Sequence, residues 1–523
     1  MLGARGVAVV LVLVSVLVFC LMGVVRTASA ALEIPKRENW YPVWDMLGDL
    51  SAHDPSIAQE DGVWWVFHTG EGLQVKRSSD GRTWVQDQPV FKEPLHWWKH
   101  FAPGMNYNDV WAPDIHWYNG KWWLYYSVSE FGKSTSAIGL ASTDKLASGE
   151  WKDEGVVVYS SWLTEYNAID PNLFFDSEGK PWLVFGSWFS GIQIVRLDEK
   201  TMKPPLGEPV RTIARRRVGG AAAGIEGPII TYRDGYYYLF VSVDHCCANI
   251  RSDYKIAVGR SRYVDGPYVD KNGIDMMDGG GTIIDAGSTR YNGVGGQDVY
   301  EDSLLVRHAY DRTIRGAHVL LISDLHWDEE GWPFVCESDM NGYYLIQNKA
   351  NGKFLTVEYG LPVVGTKAVL EPDPVGAAFD WQIYRKEEDY YRIQNRNSFN
   401  YLEVAAGSTD PGSPVQLGSY ENRDQRLWKL VPREDGFYTI INKNSGLVLE
   451  AVDDPESGRS SVIQQVDRGD DTQLWRLVFV KRQSMQTGGV DSEALGRCKP
   501  VYVRFAAGIV GLDRNCARGA TRV

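Results

Sequence analysis

The sequence predicts an all-β protein of two consecutive domains, a five-bladed β-propeller over residues 31–338 and a smaller β-barrel over residues 339–481. Two sets of internal repeats predict this arrangement. One unit of 56 to 60 residues recurs in the first part of the chain, and a unit of 47 residues recurs in the second. The length of 523 residues suits two large domains.

The longer repeat consists of an acidic residue, alternating apolar positions, a turn and a strand rich in aromatic residues. Its acids are Asp54, Asp114, Asp170 and Glu226, and a weaker fifth copy starts at Asp298. Hairpins joined by such turns favour sheet over helix. Four-stranded units leave exposed edges that radial closure protects, so the repeat predicts the blades of a propeller.

The shorter repeat has a strictly spaced set of apolar residues. Positions separated by 47 residues include Trp381, Trp428, Trp475, Leu355, Leu402 and Leu449. Three copies of one four-stranded unit predict a barrel with pseudo-threefold symmetry. Residues 482–523 show no clear periodicity and are predicted to be a flexible extension.

Residues 1–30 have the order of a secretory signal peptide. Arg5 is followed by the apolar run Val7–Val25 and by small residues that end at Ala30. Cleavage there predicts a secreted, extracellular protein. The alternative is a retained membrane anchor, because an apolar run of this length nearly spans a bilayer. No other stretch of the sequence is apolar enough, so no membrane contact is expected after cleavage.

Charge and composition limit the partners. Acidic side chains outnumber basic ones by 67 to 54, and the formal net charge is −13. A phosphate backbone would repel such a chain, so nucleic acid is excluded as a partner. The 20 Trp and 27 Tyr offer flat apolar faces that suit sugar rings. We expect a monomer with a polysaccharide partner.

The cysteines do not form a disulfide scaffold, because the five beyond the signal are few and odd in number. Cys498 and Cys516 are close enough in sequence to pair. Cys246 and Cys247 are adjacent, and the sequence leaves open whether they form a disulfide that contacts substrate or remain buried thiols. No spacing of Cys and His resembles a zinc site.

The acids of the long repeat carry the chemistry. In a propeller the innermost strand of every blade starts near one mouth of the axial channel, so the four acids are expected to converge on one site despite their repulsion. Such a cluster beside aromatic residues suits glycoside hydrolysis, in which one carboxylic acid protonates the leaving oxygen and another carboxylate activates water or attacks the sugar. The alternative is structural, with acids that cap turns where strands start.

The acids stand in motifs that resemble glycoside hydrolase family 43, and within it the endo-1,5-α-L-arabinanases most closely. The ordered set covers about residues 45–335 and comprises Asp54-Pro55-Ser56, Trp111-Ala112-Pro113-Asp114, Asn167-Ala168-Ile169-Asp170-Pro171, Gly186-Ser187-Trp188, Glu226-Gly227-Pro228, Asp244-His245-Cys246-Cys247 and His308-Ala309-Tyr310-Asp311. The resemblance implies a five-bladed propeller, an inverting mechanism and α-1,5-linked arabinan, a side chain of pectin, as substrate.

Carried over position by position, the resemblance assigns three catalytic roles. Asp54 is the expected general base, Glu226 the expected general acid, and Asp170 the group that orients Glu226 and raises its pKa. A catalytic acid must keep its proton at working pH, and a neighbouring carboxylate makes its ionisation harder. The residues expected at the sugar subsites, with blade packing as the alternative, are Trp111, Asp114, Asn167, Ser187 and Trp188.

His308 resembles the histidine that family members place beside a metal ion in the axial channel. The resemblance implies one divalent cation, most often calcium, that is held largely through water and tunes the pKa values of the acids. Family members usually carry Gly-Pro-Gly-His before this blade. This chain has Gly293-Val294-Gly295-Gly296-Gln297 there, so the channel loop is expected to differ.

The second domain resembles the ricin-type β-trefoil of family-13 carbohydrate-binding modules. Gln473 and Trp475 match its Gln-x-Trp signature, whereas Arg426 occupies the slot before Trp428. Sugar binding is expected in the second and third repeats, and a trefoil that serves only for packing is the alternative. The predicted sugar-binding positions are Glu403, Gln425, Glu450 and Gln473.

The predicted fold is thus a five-bladed β-propeller followed by a ricin-type β-trefoil. The predicted function is a secreted, inverting glycoside hydrolase that cleaves internal α-1,5 linkages of arabinan, with the trefoil holding the enzyme near its polymer. An exo-acting α-L-arabinofuranosidase or β-xylosidase is the alternative within the family. A non-catalytic sugar-binding protein is the alternative outside it.

Overall fold

The computed structural model describes residues 41–480 except 289, 336–341, 388, 422 and 454–459. The predicted signal peptide at 1–30 and the predicted extension at 482–523 lie outside the described residues, as do Cys336, Cys498 and Cys516. Among the helices of the described segments, none is long and apolar enough to cross a bilayer.

The first domain is the predicted propeller of five blades, with mainly antiparallel strands that follow one another outward from the axis. Blade 1 contains β1 (Leu47–Gly48), β2 (Ser56–Glu60), β3 (Val63–His68), β5 (Gln74–Ser78) and β6 (Thr83–Gln86). Blade 2 contains β4 (Gly70–Glu71), β7 (Asp109–Tyr118), β8 (Lys121–Val128), β9 (Ser136–Thr143) and β10 (Lys152–Ser160). Blade 3 contains β11 (Asn172–Phe175), β12 (Pro181–Phe185), β13 (Ile192–Arg196) and β14 (Arg211–Ala214).

The last two blades follow the same plan. Blade 4 contains β17 (Ile225–Arg233), β18 (Tyr236–Val243), β19 (Lys255–Ser261) and β20 (Thr282–Asp285). Blade 5 contains β21 (Tyr291–Tyr300), β22 (Leu304–Asp311) and β23 (Ala317–Asp324). Two short ribbons are formed by β15 (Arg217–Val218) with β16 (Ala221–Ala222), and by β24 (His326–Trp327) with β25 (Pro333–Phe334).

The start of the described chain joins the first and last blades. The N–H of Trp44 donates to the carbonyl of Ile322 at 2.8 Å, and the N–H of Leu320 donates to the carbonyl of Leu50 at 2.7 Å. The same segment pairs through β1 with β6 of blade 1. It therefore covers the outer edge of the three-stranded blade 5 and closes the ring.

Each blade starts at a left-handed turn beside the axis. The turn residues have φ between 42° and 57°, and in the first four blades proline follows; they are Asp54, Ala112, Asp170, Gly227 and Gly296. The structurally equivalent positions therefore differ from those that the sequence repeat suggested. Asp114 lies two residues after its turn and Glu226 lies one residue before its turn, whereas Asp54 and Asp170 are the turn residues themselves.

A series of hydrogen bonds joins each blade to the next. In four of the five blades, the side chain two residues after the turn accepts a hydrogen bond from the first strand of the following blade. The pairs are Ser56 Oγ with Ile115 N–H at 3.2 Å, Asp114 Oδ2 with Leu173 N–H at 2.7 Å, Asn172 Oδ1 with Ile230 N–H at 2.9 Å, and Asp298 Oδ2 with Ile57 N–H at 2.9 Å. In blade 4 this position holds Ile229, and Asp298 Oδ1 accepts from its own neighbour Val299 N–H at 2.7 Å.

Asp114 belongs to this series and not to a substrate site. Its side chain is 1% exposed and accepts a second hydrogen bond from Asn172 Nδ2 at 2.9 Å. The prediction that Asp114 converges with the other acids and contacts sugar is wrong. Its offset from the turn directs the carboxylate toward blade 3, where it satisfies a buried N–H group.

The second domain is the predicted trefoil of three four-stranded units. The first unit has β26 (Gly342–Asn348), β27 (Phe354–Val357), β28 (Ala368–Glu371) and β29 (Trp381–Arg385). The second has β30 (Tyr391–Asn395), β31 (Tyr401–Val404), β32 (Val415–Gly418) and β33 (Trp428–Pro432). The third has β34 (Phe437–Asn442), β35 (Val448–Asp453), β36 (Ser460–Gln465) and β37 (Trp475–Phe479).

The three repeated tryptophans form the centre of the trefoil. Each is fully buried, and each indole N–H donates to the carbonyl of the repeated leucine at 2.9 to 3.0 Å, in the pairs Trp381–Leu355, Trp428–Leu402 and Trp475–Leu449. A buried indole needs such a partner, and the strict spacing supplies one in every unit.

Helices are few and short in the described segments. One α-helical turn, α1, spans Trp98–Phe101. The 3₁₀ turns are Leu146–Ser148, Asn249–Arg251, Met276–Asp278, Arg312–Ile314, Glu358–Gly360, Ala377–Phe379, Ala405–Gly407, Asp424–Arg426, Glu434–Gly436 and Asp471–Gln473.

The link between blades 2 and 3 predicts a stability effect at Asp114. Asp114→Asn replaces one acceptor oxygen with an amide donor, so a buried N–H loses its partner and the midpoint of thermal unfolding should fall by about 3–8 °C. Asp61→Asn, at a carboxylate that is 75% exposed, is the control and should leave the midpoint nearly unchanged. Equal midpoints for both variants would contradict a structural role for Asp114.

Candidate active site

A cleft of about 540 Å³ opens at one mouth of the axial channel. Blades 1 to 4 contribute its walls, and Asp54, Asp170 and Glu226 all line it. The left-handed turns bring Asp54 and Asp170 there directly, and Glu226 reaches it from the residue before the fourth turn. The structure therefore brings together the three acids to which catalytic roles were assigned.

Asp54 is held as an ionised carboxylate. Thr69 Oγ1 donates to its Oδ2 at 2.8 Å, and His53 Nδ1 lies 2.8 Å from the same oxygen. Burial by itself would raise the pKa of Asp54, but the adjacent His53 and the hydrogen bonds with His308 and His53 lower that pKa well below its usual value. An ionised carboxylate of this kind is able to accept a proton.

Glu226 and Asp170 lie in the opposite electrostatic environment. Burial raises the pKa of Glu226, and the charge of Asp54 raises it further, against hydrogen bonds from Ser187 and Tyr254 that lower it. Ser187 Oγ donates to Glu226 Oε2 at 2.6 Å. Burial also raises the pKa of Asp170 well above its usual value, and the charges of Glu226 and Asp54 add to this effect. As a coupled pair, these two carboxyls retain one proton between them at a pH where an exposed carboxyl has lost its own.

Asp170 is held by hydrogen bonds to the two neighbouring blades. Its backbone N–H donates to Ser127 Oγ at 3.0 Å, and its Oδ2 accepts from the N–H of Gly227 at 3.1 Å. Gly227 directly follows Glu226 in sequence. The contact therefore connects Asp170 to the residue next to the expected acid, as a role in orienting Glu226 requires.

Four of the five predicted subsite residues line the cleft. Trp111, Asn167, Ser187 and Trp188 are at its surface, and Asp114 is not. Asn167 Oδ1 accepts a hydrogen bond from Ser136 Oγ at 2.7 Å, which fixes the amide. The contact of these four cleft residues with sugar stays a prediction.

Sequence reasoning missed His53, Thr69 and Tyr254, which all line the cleft beside the acids. His53 immediately precedes Asp54, so the Asp-Pro motif itself was a signal for it. Thr69 and Tyr254 carry no local signal, because only the closed propeller brings them to the acids.

Cys246 and Cys247 form a disulfide between adjacent residues, which answers the question that the sequence left open. Both cysteines line the cleft. Tyr310 contacts both the disulfide segment and His53. Its hydroxyl accepts a hydrogen bond from the N–H of Cys247 at 3.1 Å and lies 2.9 Å from His53 Nε2. His53, Cys246 and His308 place potential metal-ligating atoms within 4.8 Å of one another, but the disulfide removes the thiolate that a soft-metal site would need.

His308 is the residue best suited to hold a cation. It is fully buried, and its Nε2 has no hydrogen-bond partner among the described residues. Burial and the neighbouring His53 lower the pKa of His308 to about 4, so the imidazole is neutral, as a metal ligand must be. The backbone N–H of Asp54 donates to Nδ1 of His308 at 3.1 Å, and Oδ1 of Asp54 lies 3.3 Å from the same nitrogen. A neutral ring that accepts at Nδ1 carries its proton on Nε2. The other tautomer, which donates from Nδ1 to Oδ1 of Asp54, would present the Nε2 lone pair to a cation.

Glycine at position 296 of the channel loop has a steric explanation. Gly296 has φ +52°, and a Cβ there would lie 2.1 Å from Asp54 Oδ1 and 2.9 Å from His308 Nδ1. Glycine at this turn therefore lets blade 5 approach both side chains closely.

The predicted sugar-binding residues of the trefoil are largely structural. Gln473 is fully buried and donates to Glu450 Oε2 at 2.6 Å, and Arg426 donates in the same way to Glu403 Oε2 at 2.6 Å. Glu403 is 4% exposed. Gln473 and Glu403 are each enclosed within their own repeat, which indicates a structural role and leaves their contact with sugar untested. For Gln425 and Glu450, contact with sugar stays a prediction, although Arg426 and not Gln425 is the counterpart of Gln473.

A five-bladed propeller with three carboxyls of unlike pKa beside its axis has the groups that a glycoside hydrolase needs. The chain belongs to the glycosyl hydrolases family 43, whose model matches residues 47–333. A ricin-type beta-trefoil lectin domain-like model matches residues 328–418 and 424–491.

Relatives and solved structures agree with this assignment. The extracellular endo-alpha-(1->5)-L-arabinanase 1 of Bacillus subtilis (strain 168) is 51% identical over 294 residues, which cover 55% of this chain and 89% of that protein. The extracellular exo-alpha-(1->5)-L-arabinofuranosidase ArbA of Cellvibrio japonicus (strain Ueda107) is 37% identical over 309 residues, which cover 56% of this chain and 89% of that protein. The solved GH43 endo-arabinanase from Bacillus licheniformis superposes with a TM-score of 0.54 at 53% identity, over 56% of this chain and 99% of that one.

Proposed function

We propose that the protein is a secreted endo-1,5-α-L-arabinanase that hydrolyses arabinan with inversion. The observation that carries this conclusion is the division of the three carboxyls into one ionised group, Asp54, and a pair with raised pKa, Asp170 and Glu226. The resemblance of its catalytic domain to extracellular endo-arabinanases supports the substrate, the endo action and the location.

Asp54 acts as the general base. Its carboxylate takes a proton from a water molecule while the water oxygen attacks the anomeric carbon of the bound arabinose, on the face opposite the leaving group. Thr69 and His53 hold Oδ2 by 2.8 Å contacts, so the carboxylate is oriented before the substrate arrives.

Glu226 acts as the general acid. As the bond from the anomeric carbon to the leaving oxygen breaks, Glu226 delivers its proton to that oxygen, and the shortened arabinan departs as an alcohol. Asp170 keeps this proton available, because loss of the last proton from the Asp170 and Glu226 pair would leave two neighbouring negative charges in the cleft.

The cleft surface offers aromatic rings for the arabinan chain. Trp111 and Trp188 line it, Phe189 is 39% exposed and Phe131 is 76% exposed. Furanose rings present C–H groups that pack on such faces. A row of rings beside the acids suits a polymer that passes through the cleft.

We also propose one divalent cation, calcium, at Nε2 of His308, with water as its remaining ligands. The buried nitrogen without a partner supports this assignment. The cation would supply positive charge beside Asp54 and so favour its ionised form.

The trefoil is proposed to bind the polysaccharide and so to raise the local concentration of enzyme on its polymer. The ricin-type match supports carbohydrate binding, and Gln425 and Glu450 are among the predicted contacts.

The roles of base and acid predict different responses to the leaving group. Glu226→Gln should lower kcat on arabinan about 10³-fold and much less on an aryl arabinooligosaccharide, whose phenolate departs without a proton. Asp54→Asn should lower both rates equally, because both need activated water. Stopped assays on both substrates measure this, and a time course on linear arabinan should show oligosaccharides first. Free arabinose alone from the start would contradict endo action.

The raised pKa of Glu226 predicts a shift in the pH profile of Asp170→Asn. Activity falls as pH rises through the pKa of the acid, because only the protonated form donates. Asp170→Asn removes the second carboxyl of the pair, and Glu226 alone loses its proton at a lower pH than the pair loses its last one. The alkaline limb of kcat/KM should therefore move to lower pH by about one unit. Asp114→Asn is the matched control, with an unmoved limb expected. An alkaline limb that also stays unchanged in Asp170→Asn would contradict an effect of Asp170 on the pKa of Glu226 and would leave it only the role of orienting Glu226.

The proposed cation predicts sensitivity to chelation. Treatment with EDTA should lower the thermal midpoint and lower kcat about 10- to 100-fold, and calcium should restore both. His308→Ala should abolish the response of the midpoint to calcium, whereas His326→Ala, at an exposed histidine outside the cleft, should preserve it. A midpoint that ignores EDTA in the unaltered enzyme would contradict the cation.

A further inference from the structure

One wall of the cleft is a loop whose outer side contacts the trefoil. This wall loop, residues 244–254, connects β18 to β19 in blade 4. His245, Cys246, Cys247 and Tyr254 from the loop all line the cleft. The side chains that contact it from behind come from the second trefoil unit.

An aromatic contact crosses from the trefoil to the wall loop. The ring of Tyr420 stacks on the ring of His245, with centroids 4.1 Å apart and an angle of 23° between the planes. His245 in turn meets the ring of Trp188 at 6.1 Å and 60°. Trp188 follows Ser187, which donates a hydrogen bond to Glu226. The row of rings thus starts beside the expected acid and ends in the trefoil.

A polar contact supports the same loop. Tyr401 of the trefoil donates its hydroxyl proton to Asp253 Oδ2, and Lys255 Nζ donates to the Tyr401 oxygen at 2.9 Å. The other oxygen of Asp253 accepts from the backbone N–H of His245 at 3.2 Å and lies 3.2 Å from its Nδ1. The hydroxyl of Tyr401 therefore holds the carboxylate of Asp253, and this carboxylate in turn holds His245.

The first residue of the wall loop is held from both domains. Asp244 pairs with Arg216 at 2.7 Å and with Lys255, and Gln394 of the trefoil donates to its Oδ2 at 3.2 Å. The guanidinium carbon of Arg216 lies 3.5 Å from the ring centroid of Phe399 in the trefoil.

These contacts are buried, which makes them costly to separate. Tyr401 is 0% exposed, Lys255 1%, Asp244 4%, Arg216 5% and Asp253 8%. The two positive and two negative charges balance one another. Buried charges that lose a partner are strongly destabilising, so the two domains form one packed unit here.

We propose that the trefoil is a structural part of the catalytic cleft, in which Tyr420 and Tyr401 position His245 and the wall loop for contact with long arabinan chains. This inference rests on the proposed function and adds to it. Tyr420 and Tyr401 are positioning residues, since they act through His245. Sugar units bound beyond Trp188 meet His245, so the effect grows with chain length.

The kinetic test compares Tyr420→Ala with Tyr420→Phe in the full chain. Loss of the ring should raise KM for linear arabinan about fivefold and leave KM for arabinotriose nearly unchanged. The acids are untouched, so kcat should stay constant. The phenylalanine retains the stacking and should restore the normal KM. Tyr359→Ala, at a trefoil tyrosine that is 69% exposed and does not line the cleft, is the matched control.

A double-mutant cycle tests whether Tyr420 acts through His245. In His245→Ala, the further change Tyr420→Ala should have no added effect on KM. Additive effects of the two substitutions on KM would overturn the inference. A KM that rises in His245→Ala but stays unchanged in Tyr420→Ala would also overturn it.

Hydrogen–deuterium exchange provides a readout that does not depend on activity. Amides of residues 244–254 should exchange faster in Tyr420→Ala and in Tyr401→Phe than in the unaltered protein, and not in Tyr359→Ala. Unchanged exchange would overturn the inference even for an active enzyme. An unaltered protein that is inactive on arabinan would instead overturn the proposed function, while faster exchange in the variants would still support the positioning of the loop.

Discussion

The five left-handed turns around the propeller axis are the constraint on which the cleft depends. Each turn places the residue at its apex beside the axis, and in four of the five blades the residue two positions later links to the next blade. Asp54 and Asp170 are apex residues and become part of the cleft, whereas Asp114 and Asp298 become links between blades. The same geometry thus provides both the reactive groups and the closure of the ring.

Closure has an electrostatic consequence for the site. Asp54, Asp170 and Glu226 lie together in one cleft, where three neighbouring negative charges would repel one another. The surrounding side chains resolve this conflict unequally. Histidines and a hydroxyl stabilise the ionised form of Asp54, while burial raises the pKa of the other two. Base and acid chemistry therefore follow from neighbours and not from residue type.

The trefoil uses its three equivalent units for different purposes. Trp381, Trp428 and Trp475 repeat one internal hydrogen bond and hold the symmetric core. The second unit adds Tyr401 and Tyr420, which contact blade 4 of the propeller. A module that the sequence marks only as a carbohydrate-binding repeat is thereby connected to the catalytic cleft.

The sequence by itself determined the number of blades and the three trefoil units, because repeat spacing and hairpin turns are local properties. Repeat spacing singled out four acids, and only the resemblance to family 43 reduced them to Asp54, Asp170 and Glu226. Only the tertiary structure decided that Asp114 leaves the site, that Gln473 is buried, and that His245 meets Tyr420. Asp54 and Asp114 lie in similar motifs. Asp54 is the turn residue and lines the cleft, whereas Asp114 lies two residues after its turn and links blade 2 to blade 3. The orientation of a side chain relative to the axis and the contacts between distant parts of the chain are set only when the propeller closes and the two domains pack together.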